Sequence, residues 1–347
     1  MVAPTTQVFA YFDLSATGGN YFTLDSTVKG KLNSATYKLA GDVATDISSY
    51  VTSLSISRGR DSQLFADMPA GRWRVVLKNL DRRFDPLYAS SPYAGNIVPG
   101  KRVQVVSGGV VIADGSVEDW NYDYDPGGYS TTVMDCGDAL TQLAASEFGG
   151  WFPTAGEKPG DRINAALDLT EVAYTLNRDI DAGVSTLQGG TVEWGTNVLQ
   201  YLNLVAKSDL GWLYASAGGS LTFRDRYADP YSSRAALFSD TGVDIPYTGI
   251  TVGYGSEKLY NRVGIERVGG TAQTANDSTS QVAYRVRSLT QSGLLLEDDL
   301  QAADMASYLV GIYKNPELRV SSLTVQLAGL SASRQADVLS LDLTSLV

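Results

Sequence analysis

Short stretches in which apolar and polar residues alternate dominate the first third of the chain. The clearest is RWRVVLKN at 72–79, where Trp73, Val75 and Leu77 alternate with charged side chains. This two-residue period predicts a β-strand with one buried and one solvent-facing side. Two glycines at 108–109 and the sequence DPGG predict tight turns between further strands. We therefore expect a run of antiparallel strands over 50–136 that a small barrel or sandwich would close.

Four segments instead carry the period of an amphipathic helix. They are GDALTQLAA at 137–145, DRINAALDL at 161–169, TNVLQYLNLVAKS at 196–208 and DDLQAADMASYLVGIY at 298–313. Asp138 and Thr196 are predicted N-caps, and Asp298 with Gln301 fits a capping box. Strand-like sequence resumes after residue 239 in GITVGYG, LYNRVGIERV, QVAYRVRSL and LRVSSLTVQL.

These elements predict a mainly β protein with α+β insertions. The expected units are N-terminal strands at 1–49, a first β-barrel domain at 50–148, a small α+β domain at 149–238 and a second β-barrel domain at 239–347. The boundary near residue 149 rests on GGWFPTAGEKPG, which concentrates glycine and proline as connectors do. The second barrel is expected to carry the last of the four helices as an insertion.

Composition excludes several functional classes. The 347 residues carry 27 Lys and Arg against 38 Asp and Glu, and this net charge of -11 argues against sequence-independent binding to a phosphate backbone. No histidine occurs, so Ser-His-Asp and Cys-His catalysis and HExxH zinc sites are excluded. The N-terminus lacks the pattern of a signal peptide, and no apolar run approaches the roughly 20 residues that span a bilayer. We expect a chain that is made and kept in the cytosol or released by lysis.

Charge is distributed unevenly along the first predicted barrel. Residues 58–102 carry nine basic and four acidic side chains. Residues 103–150 carry no Lys or Arg and eight acids, namely Asp114, Glu118, Asp119, Asp123, Asp125, Asp135, Asp138 and Glu147. Two interpretations stay open: two separately solvated faces, or copies of the barrel that pack with a positive edge against a negative edge.

Motifs for chemistry are weak in this chain. Asn121, Asp123 and Asp125 are spaced as calcium ligands would be, but Pro126 stands where an EF-hand needs glycine, which favours a hairpin turn. The single cysteine, Cys136, lies in a predicted strand and is interpreted as a buried apolar residue. Pairs of carboxylates suited to glycoside hydrolysis are available in any chain with 38 acids. No catalytic residue, cofactor or metal site is predicted.

The most distinctive segment is AGRWRVVLKNLDRRFDP at 70–86, a small residue and Gly71, a strand, Asn79 and a Phe-Asp-Pro corner. Further segments follow in order: SSPY at 90–93, PGKRVQV at 99–105, GSVEDWNYDY at 115–124, MDCGDALTQLA at 134–144, GWLYASAGGSLTFRDR at 211–226 and most of 260–309. This order of motifs resembles the minor tail proteins of long-tailed phages, especially those of actinobacterial hosts. The likeness covers most of the chain through several short motifs.

The resemblance implies an architecture like the baseplate hub of contractile-tailed phages, with two tube-forming antiparallel β-barrels flanking a small mixed domain. Three chains would form a pseudo-hexameric ring that joins the tail tube to the tail tip and lines the channel through which DNA leaves. The implied partners are two further copies, the tail tube or distal tail protein, other tail-tip proteins and the tape measure protein. DNA would contact the chain only in transit, no membrane span is expected, and the protein would reside in the virion.

The resemblance also implies a further strand after the terminal VLSLDLTSLV, so either the chain is longer or a partner completes the second barrel. Two other functions stay open at this point. One is a carboxylate-dependent cell-wall hydrolase of the tail tip, and the other is a tip protein that binds host carbohydrate.

Two sets of candidate residues follow from the resemblance. The structural motif comprises Gly71, Asn79, Phe84, Asp85, Pro86, Pro99 and Gly100, with Phe84 expected to be buried beneath the corner and Pro86 expected to fix its φ. A channel wall should be acidic or neutral, because clustered cations would bind the phosphates of passing DNA. The candidate lumen acids are Asp114, Glu118 and Asp119, and the basic residues from Arg58 to Arg102 would face neighbouring subunits. The alternative is that the acids only keep the surface soluble.

Overall fold

The computed structural model describes residues 3–12, 27, 43–59, 64–126, 129–172, 174–228, 236–241 and 243–341. Its largest sheet contains β1 (Thr6–Phe12), β2 (Val43–Asp46), β3 (Val51–Ser57), β4 (Arg72–Lys78), β5 (Arg102–Ser107), β6 (Val110–Asp123) and β7 (Thr131–Gly137). The seven strands lie in the order β2-β1-β5-β6-β7-β4-β3, and every neighbouring pair is antiparallel. The predicted antiparallel run over 50–136 is therefore confirmed, and two strands from the first 49 residues join the same sheet.

Side-chain alternation places one face of this sheet in the core. On β4, Trp73, Val75 and Leu77 are buried while Arg72 and Lys78 are exposed, as the two-residue period predicts. The predicted turn at Gly108 and Gly109 is also confirmed, since both glycines have positive φ between β5 and β6. The hairpin between β6 and β7 is present, but the glycines of its DPGG turn lie outside the described residues.

The seven-stranded sheet must be strongly curled. Its edge strands β2 and β3 are joined by residues 47–50 alone, and five Cα steps reach at most about 19 Å. A flat sheet would separate these edges by six strand spacings, or roughly 29 Å. Within the described residues no ladder joins β2 to β3, so the sheet is curled and open, and the closed first barrel stays a prediction.

The concave face of the curled sheet is filled by one apolar cluster. Its strand members are Val8, Ala10, Phe12, Trp73, Val75, Leu77, Val103, Val105, Ala113, Val117, Met134 and Cys136. The loop after β4 adds Phe84, Tyr93 and Ile97 to the same cluster. The interior of this unit is therefore a packed core, as in small barrels.

A mixed unit follows the sheet. It contains α1 (Ala139–Ala144), α2 (Pro159–Leu167), β8 (Arg178–Ile180), α3 (Val198–Lys207), β9 (Trp212–Ala215) and β10 (Leu221–Arg224), with the strands in the order β8-β10-β9. The predicted cap at Asp138 is confirmed, because its carboxylate accepts a hydrogen bond from Leu140 N. The predicted cap at Thr196 is wrong: Asn197 caps α3 by accepting from Gln200 N. Asparagine is at least as good an N-cap as threonine and stands one residue nearer the helix.

The last third contains two further sheets. Its elements are β11 (Gly249–Gly255), β12 (Arg262–Arg267), β13 (Gln273–Asn276), α4 (Ser278–Tyr284), β14 (Ser288–Leu294), α5 (Asp299–Tyr313), β15 (Glu317–Thr324) and α6 (Ala332–Leu339). β13, β12 and β14 form one sheet, and among the described strands β11 pairs only with β15. Helix α5 packs on the first of these sheets around Val263, Ile265 and Leu309. No closed barrel occurs in this described part of the chain, so the second barrel also stays a prediction.

Two local predictions in this region need correction. QVAYRVRSL was expected to be a strand, but its first four residues end α4, which Asp277 caps by accepting from Ser280 N. Arg285 then takes a positive φ of 63°, and this turn redirects the chain into β14. In the capping box, Asp298 accepts from Gln301 N as predicted, but the Gln301 side chain hydrogen-bonds Thr186 instead of completing the box. The helix is thereby tied to the mixed unit.

The predicted division into domains stays a prediction, and the contacts show how the units connect. The segment at 186–188 runs antiparallel to that at 295–297, with Glu297 N donating to Thr186 O and Gln188 N to Leu295 O. Arg58 donates to Ala215 O at 2.9 Å and so joins the first sheet to the mixed unit. Among the described residues, no helix combines the length and the apolar character needed to cross a bilayer.

Candidate assembly surface

The predicted motif residues lie at two ends of the curled sheet. Gly71 is at the end where β4 begins and β7 finishes, beside the first helix of the mixed unit. Asn79, Phe84, Asp85 and Pro86 are at the opposite end, in the loop that follows β4. The sequence motif is therefore not one site, and each of its parts fixes a different junction.

Gly71 fits against the capping carboxylate of α1. Its N–H donates to Asp138 Oδ2 at 2.6 Å, and its carbonyl accepts from Asp138 N. A Cβ added at Gly71 would lie 2.7 Å from Asp138 Oδ2, a separation that real Cβ atoms do not show. Burial raises the pKa of Asp138 despite these backbone donors. Gly71 is thus required by close approach and not by its φ.

The corner after β4 is a series of turns that each close three residues later. Backbone N–H groups of Arg82, Asp85, Tyr88 and Ser91 donate to the carbonyls of the residues three positions earlier. Asn79 Oδ1 adds a hydrogen bond from Phe84 N at 3.0 Å, which holds the first two turns together. Local side-chain acceptors of this kind are why Asn and Asp favour turns.

Phe84 occupies the centre of an aromatic cluster. Its ring is fully buried, and it lies 5.5 Å from the ring of Tyr93 and 5.6 Å from that of Tyr50. Tyr93 in turn stacks on Phe12 of β1 at 4.4 Å. The corner is thereby joined to β1 and to the link that precedes β3, and it closes this end of the curled core.

The carboxylate of Asp85 is buried and accepts several hydrogen bonds. It accepts two hydrogen bonds from Arg82 and one from Leu87 N. Burial opposes its ionisation, but the hydrogen bonds from Arg82, Leu87 N and Tyr124 outweigh burial and lower its pKa. Pro86 follows on the surface, so in this corner the buried member of the Asp-Pro pair is the aspartate.

Pro99 and Gly100 form an exposed turn that leads into β5. Gly100 has a φ of 81°, a conformation that favours glycine. Its N–H donates to Val117 O at 2.7 Å, and Val117 N donates to Lys101 O. These two hydrogen bonds extend the pairing of β5 with β6 beyond Arg102 and Ser116.

Asp114 lies between the sheet and the mixed unit. Only 4% of its surface is exposed, and it accepts hydrogen bonds from Arg102 and Gln104. Gly219, in the turn between β9 and β10, approaches so closely that an added Cβ would be 3.1 Å from Asp114 Cβ. Asp114 is therefore a contact between units, and its charge does not face solvent as the candidate role in a channel wall requires.

Glu118 and Asp119 are placed differently from Asp114. The register between β6 and β7 shifts between Val117 and Asp119, so Glu118 is the extra residue of a β-bulge. Both carboxylates are exposed on the convex side of the sheet. Of the three candidate acids, these two have the exposure that a channel-wall residue needs.

Several acidic side chains line one cleft among the described residues. A cleft of about 590 Å³ is lined by Glu118, Asp119 and Asp135, but Asp135 is paired with Arg74 and accepts from Asn121. Cys136 is buried, and burial raises the pKa of its thiol. Within the described ranges, no group of three or more His, Cys, Asp or Glu side chains could hold a metal ion.

The ribbon formed by β11 and β15 has one apolar face, and this face is exposed. The sequence pattern of these strands does not distinguish them from strands of a buried core. The ribbon's cross-strand pairs Ile250 with Leu323, Val252 with Val320 and Tyr254 with Leu318 place six apolar side chains on one face. Tyr254 is 70% exposed and Leu318 is 71% exposed. The alternation of GITVGYG would predict this apolar face, but not that the described residues leave it exposed.

Comparison with known proteins gives distant structural neighbours. No family model matches the sequence, and the search of curated proteins found no match. Among solved structures, the chain is similar to the 43 kDa tail protein of prophage MuSo2 from Shewanella oneidensis, with 18% identity, 78% of this chain and 75% of that chain covered, and a TM-score of 0.47. A tail protein from Neisseria meningitidis MC58 gives 16% identity, 74% coverage of both chains and a TM-score of 0.48.

A third neighbour is prophage tail protein gp18 from Listeria monocytogenes EGD-e, with 8% identity, 76% of this chain and 73% of that chain covered, and a TM-score of 0.46. These structural neighbours are phage tail proteins. The identities and TM-scores describe a remote likeness, so we argue function from the chain's own contacts.

Proposed function

We propose that this protein is a structural hub of a phage tail tip. Three copies form a pseudo-hexameric ring, in which the curled sheet and the last third of each chain alternate around a channel. The ring joins the tail tube or distal tail protein to the tip, contacts the tape measure protein, and lets DNA pass. The protein acts in the virion by holding this shape, and not by catalysis.

One observation carries the proposal of an assembly role: the apolar face of the β11–β15 ribbon is exposed in the part of the chain that the structure describes. A two-stranded ribbon is at best marginally stable in water without packing against another element. Exposed apolar surface of this kind is typical of sites that bind other proteins. The corner residues Asn79, Phe84 and Asp85 also serve to hold a shape, since the hydrogen bonds and ring contact that they make join residues of the same loop.

The channel wall is proposed to include Glu118 and Asp119. Both project from the convex side of the curled sheet, which is the side that a tube-forming unit can turn toward a lumen. Acidic side chains there would repel the phosphates of DNA and so prevent retention. Asp114 contributes to the joint with the mixed unit instead.

The test is the mass and shape of the purified chain. Light scattering should give three times the mass of one chain, and negative-stain images should show a ring with six-fold-like symmetry. A protein that stays monomeric at every concentration, together with virions lacking such a ring, would contradict the proposal. A zymogram on host cell wall and a glycan-binding assay on the monomer test the hydrolase and carbohydrate-binding alternatives, and activity in either would favour that alternative.

A further inference from the structure

The turn that joins α4 to β14 holds one residue in a strained backbone conformation. Arg285 has a φ of 63° and a ψ of 171°, a region that glycine adopts far more readily than a residue with a side chain. Strain of this kind persists only where the surroundings enforce it, and it is concentrated at functional sites. The Arg285 side chain is exposed, so the strain does not serve to pack a core.

Asn261 enforces this conformation from the interior. Its side chain is fully buried, with Nδ2 donating to Arg285 O and Oδ1 accepting from Arg287 N, both at 2.8 Å. The N–H groups of Asn261 and Arg262 both donate to Arg287 O. These contacts use main-chain atoms of the turn, so its shape does not depend on the arginine side chains.

The side chains at this turn form a basic and apolar surface. Three exposed arginines have no ion pair or side-chain hydrogen bond in the described part of the chain, namely Arg262, Arg285 and Arg287. Residues 278–296 contain no acid, and Asp277 before them is paired with Lys314. Val282 is 89% exposed and Val286 is 54% exposed. We call this surface, Arg262 with residues 282–287, the arginine turn.

The composition of the arginine turn indicates the chemistry of its partner. Arginines together with exposed apolar side chains are typical of protein interfaces, whereas the phosphates of a nucleic acid would contact the arginines alone. The rest of the chain is acidic, since its net charge is -11. An acidic protein surface that also carries an aromatic or apolar side chain therefore fits the turn best.

The mixed unit presents such a surface around Trp194, which is 80% exposed. Glu171 accepts a hydrogen bond from Gly149 N, and Glu147 Oε2 lies 3.9 Å from the position of a Cβ built on Gly195. These two glycines belong to adjacent segments that run antiparallel beside Trp194. Both carboxylates are exposed, and neither forms an ion pair among the described residues. We call Trp194, Glu147 and Glu171 the Trp194 face.

No basic side chain competes for the Trp194 face within the segments that form it. Lys and Arg are absent from residues 139–157, 167–177 and 189–206. The bases that flank these segments each have a partner of their own: Lys158, Arg162, Arg178 and Lys207. Glu193 is opposite Gly150 in the antiparallel pairing, so it leaves the segment on the other side from Trp194.

We propose that the arginine turn of one copy binds the Trp194 face of a second copy. In this contact a guanidinium group stacks on the Trp194 ring, and Glu147 and Glu171 accept charge-assisted hydrogen bonds from the arginines. Val282 and Val286 pack at the edge of the ring. Arginine and tryptophan are among the residue types that most often dominate the binding energy of an interface.

Within one chain, β14 separates the two surfaces. The arginine turn precedes β14, and the segment that binds the mixed unit, residues 295–297, follows it. Six residue steps along a strand span about 20 Å, so the turn is held away from its own mixed unit. Each copy therefore offers the turn to one neighbour and the Trp194 face to the other, a heterologous contact that generates a closed ring when its rotation closes. The inference rests on the trimeric assembly proposed above and names the surfaces that build it.

Exchanging the charges tests this contact. Arg285→Glu with Arg287→Glu should weaken association about 10- to 100-fold by light scattering, because carboxylates then face carboxylates. Glu147→Arg with Glu171→Arg should weaken it to a similar extent. The variant with all four changes should recover association, since each contact again joins opposite charges. Association that persists in either pair of changes, or that the four changes fail to restore, overturns the inference.

Arg72→Glu with Lys78→Glu is the matched control for the arginine changes. It makes the same change of charge at exposed positions on β4 and should associate as the wild type does. Equal weakening in this control would mean that association responds to net charge and not to the arginine turn, and would overturn the inference.

Arg285→Gly separates the strain from the binding. Glycine accepts the positive φ, so the thermal transition should rise, while the loss of the guanidinium should weaken association about 3- to 10-fold. A residue that only shapes the turn would leave association unchanged or strengthen it, and that result overturns the inference.

A double-stranded DNA oligonucleotide is the probe for the alternative partner. If the variant with Arg285→Glu and Arg287→Glu associates as the wild type does but loses binding of this oligonucleotide, the turn binds phosphates and the inference is wrong. A wild-type trimer that forms equally well in that variant overturns the contact and leaves the hub proposal standing. Wild-type protein that never associates would overturn both.

Discussion

The curled sheet and the β11–β15 ribbon use the same alternation of apolar and polar residues with opposite results. In the curled sheet, Trp73 and Leu77 are buried because the sheet folds over them and the corner loop closes the end. In the ribbon, Tyr254 and Leu318 are mostly exposed because nothing in the described chain covers that face. Alternation therefore predicts which face of a strand is apolar. Whether that face is buried within one chain depends on whether another element packs against it.

The largest expected effect comes from removing the aromatic centre of the curled sheet. Phe84→Ala should lower the free energy of unfolding by about 3 to 5 kcal/mol, because the lost ring leaves a cavity between Tyr50 and Tyr93. Urea denaturation measures it. Leu87→Ala is the control in the same loop, since Leu87 is 88% exposed, and it should change stability by less than about 0.5 kcal/mol. A loss below about 1 kcal/mol for Phe84→Ala would mean that the corner does not support the sheet.

A smaller loss of stability is expected when a glycine of the curled sheet is replaced, and almost none when a glycine of the ribbon is replaced. Gly71→Ala should cost about 1 to 3 kcal/mol, because the added methyl group meets the Asp138 carboxylate that caps α1. Gly253→Ala on the ribbon is the matched control, since its Cβ would meet no atom within 4 Å. We expect that control to change the monomer's stability by no more than about 0.5 kcal/mol. Equal losses at both positions, measured by thermal melting, would contradict the close approach at Gly71.

Much of the curled sheet could be predicted from the sequence, because its signals are local. The period of RWRVVLKN, the two glycines at 108–109 and the cap at Asp138 each act within a few residues. The burial of Asp114 could not be predicted, because it depends on Gly219, which is over a hundred positions away along the chain. The pattern of QVAYRVRSL predicts a strand although its first four residues end α4, because the cap that starts this helix, Asp277, lies before the segment.

Only part of the candidate assembly surface could be predicted from the sequence. The corner residues were identified through a resemblance, and the physical role of Asn79, as acceptor for Phe84 N, is visible only in the structure. The ribbon's strands were predicted, but whether an apolar face is covered depends on tertiary contacts that no local pattern encodes.

Lowering the pH should remove the stability that the buried Asp85 carboxylate contributes to the folded protein. The pKa of Asp85 is lowered in the folded protein, so its contribution to stability is present above the unfolded pKa of about 3.9 and is lost as the pH falls through the lower folded value. Asp85→Asn should therefore cost about 1 to 2 kcal/mol at pH 7 and much less at strongly acidic pH. Asp304→Asn, on the exposed side of α5, is the control. A cost for Asp85→Asn that is the same at both pH values, in urea titrations, would exclude this linkage.

The smallest effect on folding is expected on the convex side of the sheet, where function should respond instead. Glu118→Lys with Asp119→Lys should change stability by no more than about 0.5 kcal/mol, because both side chains are exposed. If they line the channel, particles with these lysines should assemble normally and eject DNA more slowly at low salt, since the new cations attract phosphates. High salt should restore the rate because it screens that attraction.

Glu193→Lys with Asp304→Lys makes the same charge change at exposed positions in other units and should leave ejection unaltered. Ejection that is unchanged in the first variant at every ionic strength would show that these acids face away from the DNA and only keep the surface soluble.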